Sequence, residues 1–135
     1  MTPYIFRAQQ FVPRPLLEVF DFFSKAENLQ RLTPPWLHFR ILNVDPTPVQ
    51  AGTSIEYSLR WRIFPLHWIT EIVEWKPPAR FVDVQLKGPY KLWHHQHGFI
   101  AENNGTRITD QVQYLLPFSV LGRIAHQLKV RRDIE

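Results

Sequence analysis

The period of the apolar positions changes several times along the chain, and each change marks an element boundary. Tyr4 to Val12 reads as a strand that stops at Pro13-Arg14-Pro15. Pro15 suits a first helical turn, where the N–H it lacks has no intrahelical partner anyway. Leu16, Leu17, Val19, Phe20, Phe22 and Phe23 then follow helical spacing, with Glu18 and Asp21 on the polar side. Asn28 is placed to cap a second short helix, Leu29 to Leu32, which Thr33-Pro34-Pro35 ends.

Beyond Trp36 the texture is that of strands. His38 to Val44 is followed by a turn-rich stretch, Asp45 to Gly52. Thr53 to Ile63 alternates strictly, with Ile55, Tyr57, Leu59, Trp61 and Ile63 on one face and Glu56, Ser58, Arg60 and Arg62 on the other. Phe64-Pro65-Leu66 reads as a corner, His67 to Trp75 as the returning strand, and Pro77-Pro78 as its end. Phe81 to Leu86 and Leu92 to Ala101 flank a turn at Gly88-Pro89. Asn103-Asn104-Gly105 then predicts a tight hairpin before Thr106 to Leu115, because Asn and Gly tolerate positive φ. From Ser119 the period is helical again, with Leu121, Ile124, Ala125 and Leu128 on one stripe. Strands joined by short turns pair antiparallel. The predicted fold is therefore α+β: one domain with a curved seven-stranded antiparallel sheet, two short helices after the first strand, and a long C-terminal helix covering a cavity.

The hairpin also predicts register. If Asn103-Asn104 is a two-residue loop, Glu102 faces Gly105, His97 faces Asp110 and His95 faces Val112. Extended across Gly88-Pro89, Asp83 faces His95 and Gln85 faces Trp93. Asp83, Gln85, His95, His97 and Asp110 then form a polar island on a face shared with Phe81, Trp93, Phe99, Ile108, Val112 and Tyr114. Directly opposed residues approach to about 4.5–5.5 Å at Cβ, so His97–Asp110 and Asp83–His95 are the expected contacts. A buried carboxylate needs a donor, and an imidazole supplies one. Such a network fixes register and cavity shape; it also offers His95, His97 and Asp110 as candidates for acid–base chemistry. Two histidines two apart with nearby carboxylates could provide three metal ligands, but that spacing is common by chance. No metal or other cofactor is expected. The outer face of the fifth strand, Val82, Val84 and Leu86, is as apolar as the inner one, so orientation there rests on register alone.

Composition narrows the functional classes. With 135 residues, 44% hydrophobic and 21% charged, the chain can bury one continuous core. There is no cysteine, which removes disulfides and thiolate chemistry and fits a cytoplasmic setting. No signal pattern or membrane-length apolar run is present, so stable membrane insertion is not expected. The net charge is +4, but the basic residues are dispersed apart from Lys129, Arg131 and Arg132, so no nucleic-acid partner is expected. No Gly-rich phosphate loop, nucleophile elbow or zinc-protease helix motif appears.

Several segments resemble the SRPBCC domains, the START-like or birch-pollen-allergen-like superfamily. They are EVFDFFSKAENLQRLTPPWLHFRI, PPARFVDVQLKGPYKLWHHQHGF, GTRITDQVQYLLPF and LGRIAHQL. The most specific are Trp93, His95 and His97 (W-x-H-x-H) together with Gly88, Pro89 and Tyr90 (G-P-Y). The bacterial cell-division-inhibitor-like subgroup is the nearest. The resemblance runs from about Phe11 to Leu128 and implies a helix-grip fold around a hydrophobic cavity. Relatives usually continue the last helix further, whereas this sequence ends at Glu135; a helix cut short, leaving a more open cavity mouth, is expected.

The leading expectation is a module that binds an apolar or amphipathic small molecule, such as a lipid, isoprenoid, quinone or polyketide-like compound. Its wall would be Tyr57, Trp61, Trp68, Phe81, Trp93, Phe99 and Tyr114, and its polar end Asp83, Gln85, His95, His97 and Asp110. The rival is a cyclase, aromatase or hydrolase with His95 or His97 as proton shuttle. A third reading is an interaction domain, a homodimer being one form, that uses an outer face of Ile69, Val73, Trp75, Val82, Val84 and Leu86.

Overall fold

The computed structural model describes residues 3–32 and 35–115, with side chains at 29, 30, 32 and 61 left aside. Strand β1 (Tyr4–Val12) leads through Pro15 into helix α1 (Leu16–Phe23), helix α2 (Glu27–Leu32) and a single 3-10 turn (Pro35–Leu37). A six-strand meander follows: β2 (Arg40–Asp45), β3 (Ser54–Trp61), β4 (Phe64–Lys76), β5 (Arg80–Lys87), β6 (Leu92–Glu102) and β7 (Gly105–Leu115). The strands form one antiparallel sheet in the order β1-β7-β6-β5-β4-β3-β2. The chain therefore leaves β1 at one edge, crosses through the helices to β2 at the far edge, and meanders back to β7. The expected C-terminal helix lies outside the described residues. Among the described residues no helix is long and apolar enough to cross a membrane.

Two apolar clusters occupy the inner face. In the first, Val19 and Phe20 of α1 pack on Ile72, Phe81, Phe99 and Ile108. Phe20 meets Phe99 and Phe81 edge-on, with ring centroids 5.1 and 6.0 Å away. The apolar stripe read from 16–23 is thus what docks α1 onto the sheet. In the second cluster Leu37, Leu59, Trp68, Tyr90, Val112 and Tyr114 pack together.

The structure corrects three local expectations. Asn28 is not a helix cap: α2 begins one residue earlier, and the Asn28 amide donates to the Phe22 carbonyl at 2.7 Å, tying α2 to the end of α1. Ile63 does not share the inner face of β3. It sits in the Arg62-Ile63 turn, 83% exposed, and Phe64 and Pro65 already belong to β4, opposite Trp61 and Arg60. Trp75 does not join Ile69 and Val73 on the outer face, because a bulge between Ile72 and Glu74 puts it opposite Phe81, within 5.4 Å of Phe20. A bulge inserts one residue and so inverts the alternation beyond it. On the outer face Val73 and Leu86 are exposed, but Val82 is buried.

The loop between β2 and β3 is pinned by Thr53, wholly buried. Its hydroxyl donates to the Pro46 carbonyl and accepts from the Gln50 N–H, each at 3.0 Å. The β6–β7 hairpin turns as expected, with Asn103 and Asn104 at φ 47° and 62° and Glu102 opposite Gly105.

Candidate functional site

The predicted register holds through the site. His97 is opposite Asp110, His95 opposite Val112, and Asp83 opposite His95. Asp83 faces inward with Phe81. The hydrogen bonds, however, are not between the opposed pairs. His95 Nε2 lies 2.9 Å from Asp110 Oδ1, and His97 Nε2 lies 2.7 Å from Asp83 Oδ2. Both bonds run diagonally, within reach of long side chains on adjacent strands. The two imidazoles are stacked, centroids 3.7 Å apart and 26° between planes, so one leans toward β7 and the other toward β5. His97 Nδ1 is also 3.7 Å from Asp110 Oδ1. The expected contacts are therefore crossed: four residues form one quartet.

The quartet bridges the two apolar clusters. Phe81 stacks on His97 at 4.1 Å and 15°, and Phe99 lies 5.9 Å beyond Phe81. On the other side Trp93 meets His95 edge-on at 6.2 Å, followed by Trp68 at 5.3 Å from Trp93 and Tyr57 at 5.8 Å from Trp68. These rings form a column that holds the imidazoles in place. Tyr114 is buried in the same aromatic group. Trp61, also expected in the wall, lies outside the described side chains.

Gln85 is brought to the site's edge but has another task. Its amide grips the Tyr90 backbone, accepting from the Tyr90 N–H at 3.1 Å and donating to the Tyr90 carbonyl. That clasp folds the Gly88-Pro89-Tyr90 turn inward and buries Tyr90 against Trp68, Trp93 and Tyr114. Sequence reading treated Tyr90 only as part of a turn motif. Thr70, buried between Trp68 and Ile72, was also missed, although counting two residues from Trp68 reaches it.

Burial disfavours the ionised form of Asp83, but the His97 hydrogen bond and the neighbouring histidines outweigh it and hold the carboxyl below its ordinary range. Asp110 is held low in the same way, with His95 as the principal partner opposing burial. His97 is pushed down by burial and by His95, against the pull of Asp83. The Tyr57 hydroxyl is raised well above its ordinary value by burial and then by Asp83. At neutral pH the arrangement is thus two carboxylates beside a neutral His97. Because an ionised Asp83 has no proton to give, the proton in the 2.7 Å contact belongs to His97 Nε2, leaving Nδ1 with its lone pair.

Two hollows lie away from the inner surface of the quartet. A groove of about 750 Å³ opens between α1, α2, the loop before β3 and Pro77-Pro78, with Phe20, Lys25, Val49 and Trp75 in its lining. A smaller one of about 310 Å³ lies on the outer face over Gly98.

Comparison with solved structures gives the same fold in proteins of distant sequence. The Zhui aromatase/cyclase from Streptomyces sp. R1128 superposes with a TM-score of 0.77 at 12% identity, covering 97% of this chain and 86% of that one. TTHA0849 from Thermus thermophilus gives 0.67 at 20% identity, with coverages of 97% and 86%. The major latex-like protein 151 of Panax ginseng gives 0.67 at 12% identity, with coverages of 99% and 96%. These likenesses establish the START-like, birch-pollen-allergen-like fold. No protein of curated function matches the sequence significantly. A family model does match, over residues 12–129, and by it the chain belongs to the family described as "Polyketide cyclase / dehydrase and lipid transport".

Proposed function

We propose that the protein binds an apolar or amphipathic small molecule, of lipid, isoprenoid, quinone or polyketide-like character, against the inner face of its sheet. The observation that carries this reading is a His–Asp quartet set between two apolar clusters on one surface. A polar waist between apolar ends matches a guest whose hydrocarbon or ring portions flank an oxygen. Burying the guest's apolar surface contributes about 25 cal/mol per Å² before ordering costs, while the quartet orients its carbonyl or hydroxyl. Membership in a family described by both cyclisation and lipid transport supports the same class of ligand. The W-x-H-x-H segment, which supplies the two histidines of the quartet, is together with Gly88-Pro89-Tyr90 what supports the finer assignment to the cell-division-inhibitor-like subgroup.

The test is native mass spectrometry of the freshly purified protein, with titration of an environment-sensitive apolar dye. A co-purified organic ligand, or saturable dye binding that Trp93→Ala weakens about tenfold or more, is the expected result. Protein that carries nothing and binds no apolar probe refutes the proposal.

One observation favours a second reading, acid–base catalysis. His97 donates its Nε2–H to an ionised Asp83 and keeps Nδ1 as a free base, so a proton taken there would create an imidazolium steadied by the carboxylate. A carbon acid next to a carbonyl is the substrate chemistry this suits, and the aromatase/cyclase neighbour has the same fold. NMR titration of the ring protons separates the readings: histidines that titrate like free imidazole eliminate catalysis by these residues.

A further inference from the structure

Asp83, His95 and His97 each present a potential ligand atom, and the three atoms lie within 4.8 Å of one another. We propose that these side chains bind a divalent transition-metal ion of the Zn2+ or Co2+ type. Two imidazoles and one carboxylate are the donor set that such borderline ions favour, and three protein ligands leave a position open for water or an organic oxygen.

Three features carry the inference beyond proximity. First, the ligands come from two adjacent strands, with Asp83 directly opposite His95, so backbone pairing sets their spacing. Second, the imidazoles are held by stacking on each other and on Phe81, which limits the rotamer freedom an ion would have to freeze. Third, the outer carboxylate is already built. His97 meets Asp83 through Nε2, while its Nδ1 lies 3.7 Å from Asp110 Oδ1. With Nε2 on the ion, Nδ1 is left facing the Asp110 carboxylate, the kind of outer partner that orients metal-bound histidines and raises their basicity. Among the described residues, the ion pairs of Asp83 and Asp110 are with imidazoles alone. A dication would balance the two carboxylate charges that no Lys or Arg in those pairs offsets. Binding exchanges the 2.7 Å Asp83–His97 hydrogen bond for metal bonds of about 2.0–2.2 Å. The inference stands apart from the small-molecule reading, since the ion binds without an organic ligand.

Co2+ alone, titrated into the full chain in a weakly coordinating buffer at about pH 7.5, provides the test. Saturable binding with intensified visible d–d bands is expected. The His95→Gln/His97→Gln double variant should abolish those bands, Asp110→Asn should weaken binding about ten- to a hundredfold, and His67→Gln should leave it unchanged. Because a variant can fail to fold, the unaltered protein is also examined by NMR: Co2+ should displace the ring signals of His95 and His97 and spare those of His38 and His67. An aquo-Co2+ spectrum at saturation, bands that survive the double variant, or displaced signals confined to other histidines would each overturn the proposal.

Discussion

His97 is the residue on which most of the site's electrostatics turn. Its folded pKa lies below the ordinary 6.5, because burial and His95 outweigh Asp83. The stability it contributes is therefore complete above 6.5 and is lost as pH falls through the lowered value. Asp83 and Asp110 are depressed below the ordinary 3.8, so their contributions are present above 3.8 and vanish as pH falls through their own lowered values. All three act in the same direction. The melting temperature should fall on acidification in two stages, the first setting in below about pH 6.5 and the second in the carboxylate range. His97→Gln should flatten the first stage and also shrink the second, because it removes the imidazole that helps hold Asp83 low, as a series of thermal melts would show. Identical melting profiles for the two proteins between about pH 7 and 5 would contradict this account.

Elements are joined here by close backbone contacts as much as by side chains. At the start of β7, a Cβ built on Gly105 would stand 2.5 Å from Phe11 Cζ and 2.6 Å from the Val12 carbonyl oxygen. The phenyl ring can swing away, but the carbonyl is fixed by the β1–β7 ladder, where Val12 pairs with Thr106. Gly105→Ala should therefore cost about 1–3 kcal/mol, read as a lower urea midpoint with unchanged slope. Thr106, wholly buried, adds to the same junction by donating to the Arg14 carbonyl at 2.8 Å. Bulges on β2 and β4 re-aim the residues beyond them, and the one on β4 is how Trp75 reaches the inner face.

For the molecule as a whole, α1 is the piece that closes one end of the inner face. Phe20 is 5% exposed and touches the rings of Trp75, Phe81 and Phe99, which come from three different strands. Phe20→Ala should cost about 3–5 kcal/mol, a large share of the roughly 5–15 kcal/mol typical of a domain. Equilibrium urea unfolding measures it. A loss under about 1 kcal/mol would mean that α1 does not anchor the sheet. The groove of about 750 Å³ beside Phe20 should widen in the same variant.

Much of this protein was determined by its sequence. Strand and helix periods place β1, α1 and the meander, because burying one face requires a period of 2 or 3.6. The Asn103-Asn104 turn sets the β6–β7 register, since two residues at positive φ admit one pairing, and that register puts His95, His97 and Asp110 on one face, which the β5–β6 pairing across Gly88-Pro89 extends to Asp83. Tertiary structure decided the rest. The diagonal crossing of the His–Asp bonds follows from ring stacking, which depends on side-chain packing rather than register. Bulges count residues out of phase without leaving a mark in composition, so the inward turn of Trp75 was illegible. The diversion of Gln85 to Tyr90 needed the turn folded back over the sheet, a contact between side chain and backbone that no local pattern encodes.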